Sequence, residues 1–267
     1  MDILNPAEFP LAKPASRNSR AWFLDELDIY QTEKPYRLRF ESPDPSIART
    51  NTQSTLTTED AADEQKVKQI YLQSLKPVLR DFFRTPNVVI LEYVIRKREE
   101  SFPISHGGDH ETNQPVLVAH VDWTPRHVES RVRRFMGAAK AEKILSGRYQ
   151  YVDVWKPLKG LVRDWPLALR DLSSIDPDKD LEMADTVFDI GEYEVQQNYQ
   201  MNHRPQHRWF YLSEQKTDEI TIFRQYDSEI GHGSGVPHVA LPDPSVDSSA
   251  ELRGSIEVQC LVYWDSV

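Results

Sequence analysis

The sequence predicts a mainly β protein with flanking helices, a double-stranded β-helix of the jelly-roll or cupin-like kind. Three observations lead there. From Tyr149 onward, segments 149–155, 192–198, 207–213, 218–226, 236–241 and 254–264 read as strands separated by Pro, Gly and Asp turns. The helical patterns are confined to the first half, without the regular strand–helix alternation of a parallel doubly wound sheet. Prolines number 18 against 10 glycines, which suits short strands and turns better than a helical bundle. Two packed sheets manage their edges in this way, and the mouth between them is a natural pocket.

Bulk properties narrow the class. The 267 residues are 39% hydrophobic and 28% charged, enough for a sizeable core in one globular domain over 1–267. The net charge of −10 repels phosphate backbones and argues against nucleic acid as a partner. The one concentrated basic stretch, Arg126 to Arg134, is interleaved with apolar residues and reads as the solvated face of a helix. A single cysteine, Cys260, lies in an alternating apolar strand, so a buried thiol in a reducing, cytoplasmic setting is expected. The N-terminus has no signal-peptide pattern, and no run approaches the roughly 18 apolar residues that cross a bilayer. The composition leaves the oligomeric state open, a homodimer included.

In chain order, residues 1–62 read as an N-terminal extension. Trp22-Phe23-Leu24 and Tyr36 to Phe40 are candidate edge strands within it. Residues 42–62, rich in Ser, Thr, Asp, Asn and Pro, have no hydrophobic period and predict a mobile loop. A helix follows over roughly 63–84, with Val67, Ile70, Tyr71, Leu75, Val78 and Leu79 on one face and Pro77 expected to kink or divide it. Asn87 to Ile95 is a strongly β-branched buried strand, and 97–114 is a polar loop with Gly107-Gly108. The apolar run Pro115 to Ala119 leads as a strand into His120-Val121-Asp122. Thr124-Pro125 then starts a helix, Thr as N-cap and Pro at the first position. A second helical piece ends near Ser146-Gly147.

The chemistry concentrates at His120 and Asp122. Two positions apart on a strand, they point to the same side and can offer an imidazole nitrogen and a carboxylate oxygen to one metal ion. A distant His238, in the apolar segment Val236 to Leu241, would complete a 2-His-1-carboxylate facial triad, whose open positions suit non-haem Fe(II) and dioxygen. Such a triplet also arises at strand ends that merely satisfy local backbone groups. A lone imidazole in an apolar segment wants a partner, however, and that favours the metal. Arg253 and Ser255 follow, two apart on the next strand. A guanidinium fork with a neighbouring hydroxyl suits the distal carboxylate of 2-oxoglutarate. Trp155, Trp209 and Tyr211 are candidate pocket walls, with core packing as their alternative. Lys156, Arg163 and Arg208 are candidate anion contacts, with salt bridges as theirs. Of the other histidines, His106 and His110 read as solvated and His127 as part of the basic helix. His203 and His207 lack a carboxylate at strand spacing. His232, in Gly-His-Gly-Ser-Gly, is the strongest competitor.

These residues lie within a set of ordered motifs. They include Val118-Ala119-His120-Val121-Asp122-Trp123-Thr124-Pro125, Val154-Trp155-Lys156-Pro157-Leu158 and Val162-Arg163-Asp164-Trp165-Pro166-Leu167-Ala168. His207-Arg208-Trp209-Phe210-Tyr211-Leu212-Ser213, Asp218-Glu219-Ile220, Tyr226-Asp227-Ser228, Pro237-His238-Val239-Ala240 and Arg253-Gly254-Ser255-Ile256-Glu257-Val258 continue the series. Over roughly 87–264 the chain resembles the hydroxylase/desaturase-like (AsaB/CmcJ-like) family of fungal and bacterial secondary metabolism. The resemblance implies a jelly-roll oxygenase with Fe(II) and 2-oxoglutarate as cofactors. It implies a small-molecule substrate, here expected to be mainly apolar, with dioxygen as co-reactant and hydroxylation or desaturation as the outcome. The sequence departs from the family at Gly254, at Gln259 where an Arg is usual, and at Asp153 where an Asn is usual. A non-redox cyclase, isomerase or dehydratase using the same pocket is the alternative reading.

Overall fold

The structure is a computed structural model that describes residues 36–37, 46–52, 56–103, 112–189, 193–242, 246 and 250–265. It is a jelly roll of two sheets. One runs β1 (Tyr36–Arg37), β9 (Trp209–Tyr211), β6 (Leu167–Arg170), β11 (His238–Ala240), β4 (His120–Val121), β8 (Tyr193–Met201), β7 (Leu181–Asp189). The other runs β2 (Ile47–Asn51), β10 (Glu219–Asp227), β5 (Tyr149–Pro157), β12 (Gly254–Tyr263), β3 (Val88–Lys97). Neighbours pair antiparallel except β1 with β9, which is parallel.

The outer face of the five-stranded sheet is sealed by a helical layer. Alternate residues Val152 and Val154, Ile220 and Ile222, and Ile256, Val258 and Cys260 point outward, as the two-residue period of a strand requires. They meet Val67, Tyr71, Leu75 and Leu79 from the helix α1 (Leu72–Phe83) and the π turn before it (Val67–Tyr71). Asp63 caps the first turn by accepting from the backbone N–H of Gln65 and Lys66. The expected break at Pro77 does not occur. The helix runs through it, and the irregularity is the π turn upstream. Helices α2 (Pro125–Met136) and α3 (Ala138–Leu145) pack at the end of the barrel, α2 capped by Thr124 as predicted. A fourth helix, α4 (Pro177–Asp180), is a single turn.

Several sequence expectations change. The polar stretch 42–62 is not wholly loop: Ile47–Asn51 pairs antiparallel with β10 from Ile47↔Phe223 to Asn51↔Glu219. An edge strand held by backbone hydrogen bonds needs little hydrophobic period, so composition concealed it. The run Pro115–Ala119 is not a strand, because β4 is only His120–Val121, although Val116 and Ala119 carbonyls accept from Ala240 and Met201. β3 is an edge strand, half-buried rather than enclosed. β6 and β7 carried no sequence signal, one being four residues long and the other an edge strand without apolar alternation in a hairpin with β8. Trp22 to Leu24, and the loop with His106, Gly107, Gly108 and His110, lie outside the described residues.

Two β-bulges shape the inner face of the five-stranded sheet. In β10 the register jumps between Arg224 and Tyr226, so Gln225 is the extra residue. In β3 the jump opposite Gln259 and Cys260 leaves Leu91 extra. A bulge re-aims a side chain that a regular ladder would commit elsewhere.

Lys156 is not an anion contact. It is fully buried against the helical layer, Nζ donating to the carbonyls of Leu56 (3.2 Å) and Pro157 (3.1 Å) and lying 5.8 Å from the Tyr71 ring. Burial pushes its pKa down to about 8 from an ordinary 10.5. Between those pH values the unfolded chain holds the extra proton, so Lys156 makes stability rise with pH in that window. Relative to wild type, Lys156→Met should therefore have a constant stability difference below about pH 8. That difference should shift in favour of wild type as pH rises to 10.5, by up to about 1.4 kcal/mol per pH unit. Urea unfolding of both proteins between pH 7 and pH 10 measures this.

Candidate metal centre and its cavity

Strand pairing brings the two predicted histidines together. His238 on β11 lies directly opposite His120 on β4, and their ring centroids are 4.3 Å apart. Asp122, just past the end of β4, is on the same face. Its Oδ1 is 3.1 Å from His120 Nε2 and 3.5 Å from His238 Nε2. One donor atom from each of the three residues lies within 4.8 Å of the others. The Nδ1 atoms are engaged on the other side: His120 Nδ1 is 2.7 Å from the Val118 carbonyl and His238 Nδ1 is 3.3 Å from that of Val236. A carbonyl only accepts, so the close Val118 contact puts a proton on His120 Nδ1, and the Nε2 of both rings is turned to Asp122.

The charges suit a cation. Burial, and then the neighbouring His120, push His238 down to about 3, so it is a neutral imidazole. Burial also disfavours charge on Asp122, but the His120 hydrogen bond and the adjacent imidazoles outweigh it and hold the carboxylate well below its ordinary range. Burial works against a charged His120 too, and Asp122 outweighs it and raises its pKa. The Nε2 edges of both rings and the Asp122 carboxylate therefore face one another where a cation would sit.

Asp122 is held from two sides. Its backbone N–H donates to Gln225 Oε1 (3.0 Å), and its Oδ2 accepts from Gln259 Nε2 (3.2 Å). Gln259 Oε1 in turn accepts from the Arg131 guanidinium (3.0 Å) and the Tyr151 hydroxyl (3.1 Å). Arg131 also pairs with Glu92 and lies 4.4 Å over Trp123. Gln225 is the extra residue of the β10 bulge and Gln259 faces the β3 bulge, so both irregularities serve Asp122.

A second cluster, Asp122 with Asp153 and Glu257, also meets the distance criterion for a metal. Its chemistry is less favourable. Burial, and then the charge of Asp122, push Asp153 well above the carboxylate range, and the neighbouring Gln225 does not offset them. Burial also raises Glu257, despite Arg96 Nε at 3.5 Å. That cluster has no imidazole and two carboxyls whose burial opposes the charge a cation needs, whereas the other sets two imidazoles beside a carboxylate held ionised.

Arg253 and Ser255 open β12, on the same inner face as Glu257 and Gln259. The Arg253 guanidinium donates to the Trp165 carbonyl (2.7 Å) and to Ser255 Oγ (3.3 Å) and lies 5.0 Å over the Trp155 ring. Among the described residues no carboxylate is within ion-pair range of it, since Asp164 accepts from its backbone N–H instead. Burial, and then Arg96, push it down to about 9. A buried guanidinium without a carboxylate fits an incoming anion.

The predicted walls lie elsewhere. Trp155 is buried between the sheets with Val162, Leu169, Phe223 and Val236. Trp209 and Tyr211 pack with Ala119, Ala168 and Val239, residues adjacent in sequence to His120, Leu169 and His238. Strand alternation therefore puts both on the face turned away from the metal cluster. None of the three lines the cavity of about 1140 Å³ that His120 and Asp122 open into. Its lining includes Val116, Val118, Val94, Arg96, Arg131 and Gln200. Arg163 pairs with Glu214 (2.8 Å) and Arg208 with Asp171 (2.5 Å), so neither is an anion contact. His232 contacts the Tyr199 hydroxyl (3.1 Å), His207 is buried against Asp180 (2.9 Å), and His127 stacks on Trp123. Sequence reading missed Gln225, Glu257, Arg96 and Arg131 as members of the site. Continuing the alternation of Arg253 and Ser255 would have reached Glu257 and Gln259, but nothing in the sequence marks Gln225.

A jelly roll with two imidazoles and a carboxylate converging at one end of a cavity defines an oxidoreductase scaffold of the metal-binding kind. Comparison with known proteins gives the lineage: the chain belongs to the oxidoreductase/YMDC permease-like domain family, matching it over residues 39–263. It is 29% identical over 235 residues to the Fe(II)/2-oxoglutarate-dependent dioxygenase nvfI of Aspergillus novofumigatus, covering 86% of this chain and 84% of the relative. It is 27% identical over 228 residues to the hydroxylase/desaturase efuI of Hormonema carpetanum, covering 79% and 76%. A solved structure of the iron and alpha-ketoglutarate-dependent endoperoxidase NvfI aligns with a TM-score of 0.74 at 27% identity, over 86% of this chain and 80% of that one. Among the described residues no helix is long and apolar enough to cross a membrane.

Gly235 ties the site to the fold. A Cβ there would meet the Gln225 carbonyl oxygen at 2.4 Å and Val121 Cγ1 at 2.5 Å, so the chain entering β11 passes between the β10 bulge and β4. Gly235→Ala should lower unfolding stability by about 1–3 kcal/mol, measured by urea denaturation. A stability equal to wild type would mean that this packing yields without cost.

Proposed function

We propose that His120, Asp122 and His238 hold ferrous iron and that Arg253 and Ser255 anchor 2-oxoglutarate in a hydroxylase or desaturase acting on a small-molecule metabolite. The protein is an iron(II)/2-oxoglutarate-dependent oxygenase of secondary metabolism, with dioxygen as co-reactant. Relatives named for that chemistry align over most of its length. The convergence of three donor atoms within 4.8 Å, from segments over a hundred residues apart, carries the assignment of the ligands. A cytoplasmic location is part of the proposal and rests on the one buried, unpaired Cys260.

Bound together, iron and 2-oxoglutarate supply the oxidising power that removes hydrogen from the substrate, with dioxygen consumed and succinate and carbon dioxide released. The chain's own groups prepare for this. Two imidazoles offer their Nε2 lone pairs, and Asp122 offers a negative charge to a divalent cation. Gln259 fixes the carboxylate and Gln225 the backbone N–H of Asp122, so that the residue need not reorganise on binding. Arg253 meets a carboxylate as a two-pronged donor, Ser255 and the Trp165 carbonyl set its plane, and Trp155 shields it from water.

The test is iron content together with oxygen-dependent succinate release by the purified protein. His120→Ala and Asp122→Ala should lose both. Turnover that persists in chelator without oxygen would instead support a non-redox enzyme. Gln259→Leu should keep the fold and weaken ferrous binding by about 10–100-fold, read by metal titration. Arg253→Leu should raise the KM for 2-oxoglutarate by about 10–100-fold while iron binding stays at the wild-type level.

A further inference from the structure

We propose that the inner face of β8 is the substrate-recognition wall, and that it selects a metabolite carrying a hydroxyl or amide N–H on an otherwise apolar body. This rests on the oxygenase reading and replaces the expectation of a mainly apolar substrate with an amphipathic one. Gln196, Asn198 and Gln200 alternate along β8, so their carboxamides share one face, and all three line the cavity with Thr186 of β7. Gln200 is the direct ladder partner of His120, which places this row beside the metal ligands. Asn198 lies one alternate position further on, about 6–7 Å along the strand.

The hydrogen bonding of this row is incomplete. Asn198 Nδ2 is spent on Thr186 Oγ1 (3.0 Å), while its Oδ1 is buried with no donor. The Gln200 carboxamide makes no hydrogen bond among the described residues. A buried acceptor without a donor is costly, and here it belongs to a side chain that lines a cavity large enough for a metabolite. Its complement is an N–H or O–H. Val94, Val116 and Val118 line the same cavity and supply contact for an apolar body. The substrate's donor therefore docks on Asn198, with Gln200 between it and the metal cluster. That fixes which carbon is presented for attack.

Two matched pairs of probes test this by calorimetry on the metal-loaded protein: cedrol against cedrane, and laurolactam against N-methyl-laurolactam. The donor-bearing member of at least one pair should bind about 5- to 150-fold tighter, and the pair that discriminates shows whether hydroxyl or amide is read. Asn198→Leu should erase that preference, and Asn198→Asp, which keeps the acceptor, should retain it. If the leucine variant does not fold, Asn198→Ala carries the same expectation. Equal binding within both pairs, no binding of either donor at millimolar concentration, or an undiminished preference in the Leu or Ala variant overturns the proposal. Cobalt(II) binding, followed spectroscopically in the same samples, reports the metal centre alone. A failed oxygenase reading shows as lost cobalt, and a failed wall as lost discrimination.

Discussion

Asp122 is the group on which the rest depends. It lies between two imidazoles, is largely buried at the wall of the cavity, and is ionised although burial opposes that. An unpaired buried carboxylate would cost several kcal/mol. The fold meets that cost with hydrogen bonds to the charged form and with the adjacent imidazoles. His120 and His238 are cross-strand partners, so their separation is set by backbone pairing rather than by flexible side chains. The donor set is in place before any cation arrives.

The five-stranded sheet supports it from the opposite side. Its outer face is an ordinary apolar contact with the helical layer, whereas its inner face carries Asp153, Glu257, Gln259, Ser255 and Arg253. So polar an interior persists because the groups divide the charge unequally. Asp122 stays ionised while Asp153 is held neutral. The two bulges let Gln225 and Gln259 turn toward one residue, Gln225 to the backbone N–H of Asp122 and Gln259 to its carboxylate. Gly235 lets the chain entering β11 pass close enough to the β10 bulge for His238 to reach its place.

The cavity then extends the site's logic outward. His120 and Asp122 belong to its wall together with charged and amide groups, and valines interrupt them. The large aromatics that a sequence reader would assign to substrate are instead in the cores: Trp155 beneath Arg253, and Trp209 and Tyr211 behind the sheet. Bulk alone does not distinguish a wall from a core residue. Strand parity does, and parity depends on registers that only the paired sheets define.

The sequence by itself determined the local pieces. Thr124-Pro125 starts a helix because a capping hydroxyl and a fixed φ are local properties. His120 and Asp122 share a face because alternate residues on an extended chain must. The ordered motifs around His238 and Arg253 pointed to the jelly roll and its metal chemistry. Tertiary structure alone decided the rest: that His238 faces His120, that Gln225 is extruded by a bulge, and that Trp209 points away. It also made a polar stretch the edge strand β2. Each of these depends on strands far apart in the chain being aligned to within one residue. A shift of one residue reverses every side chain's direction, and no local preference in the sequence records that alignment.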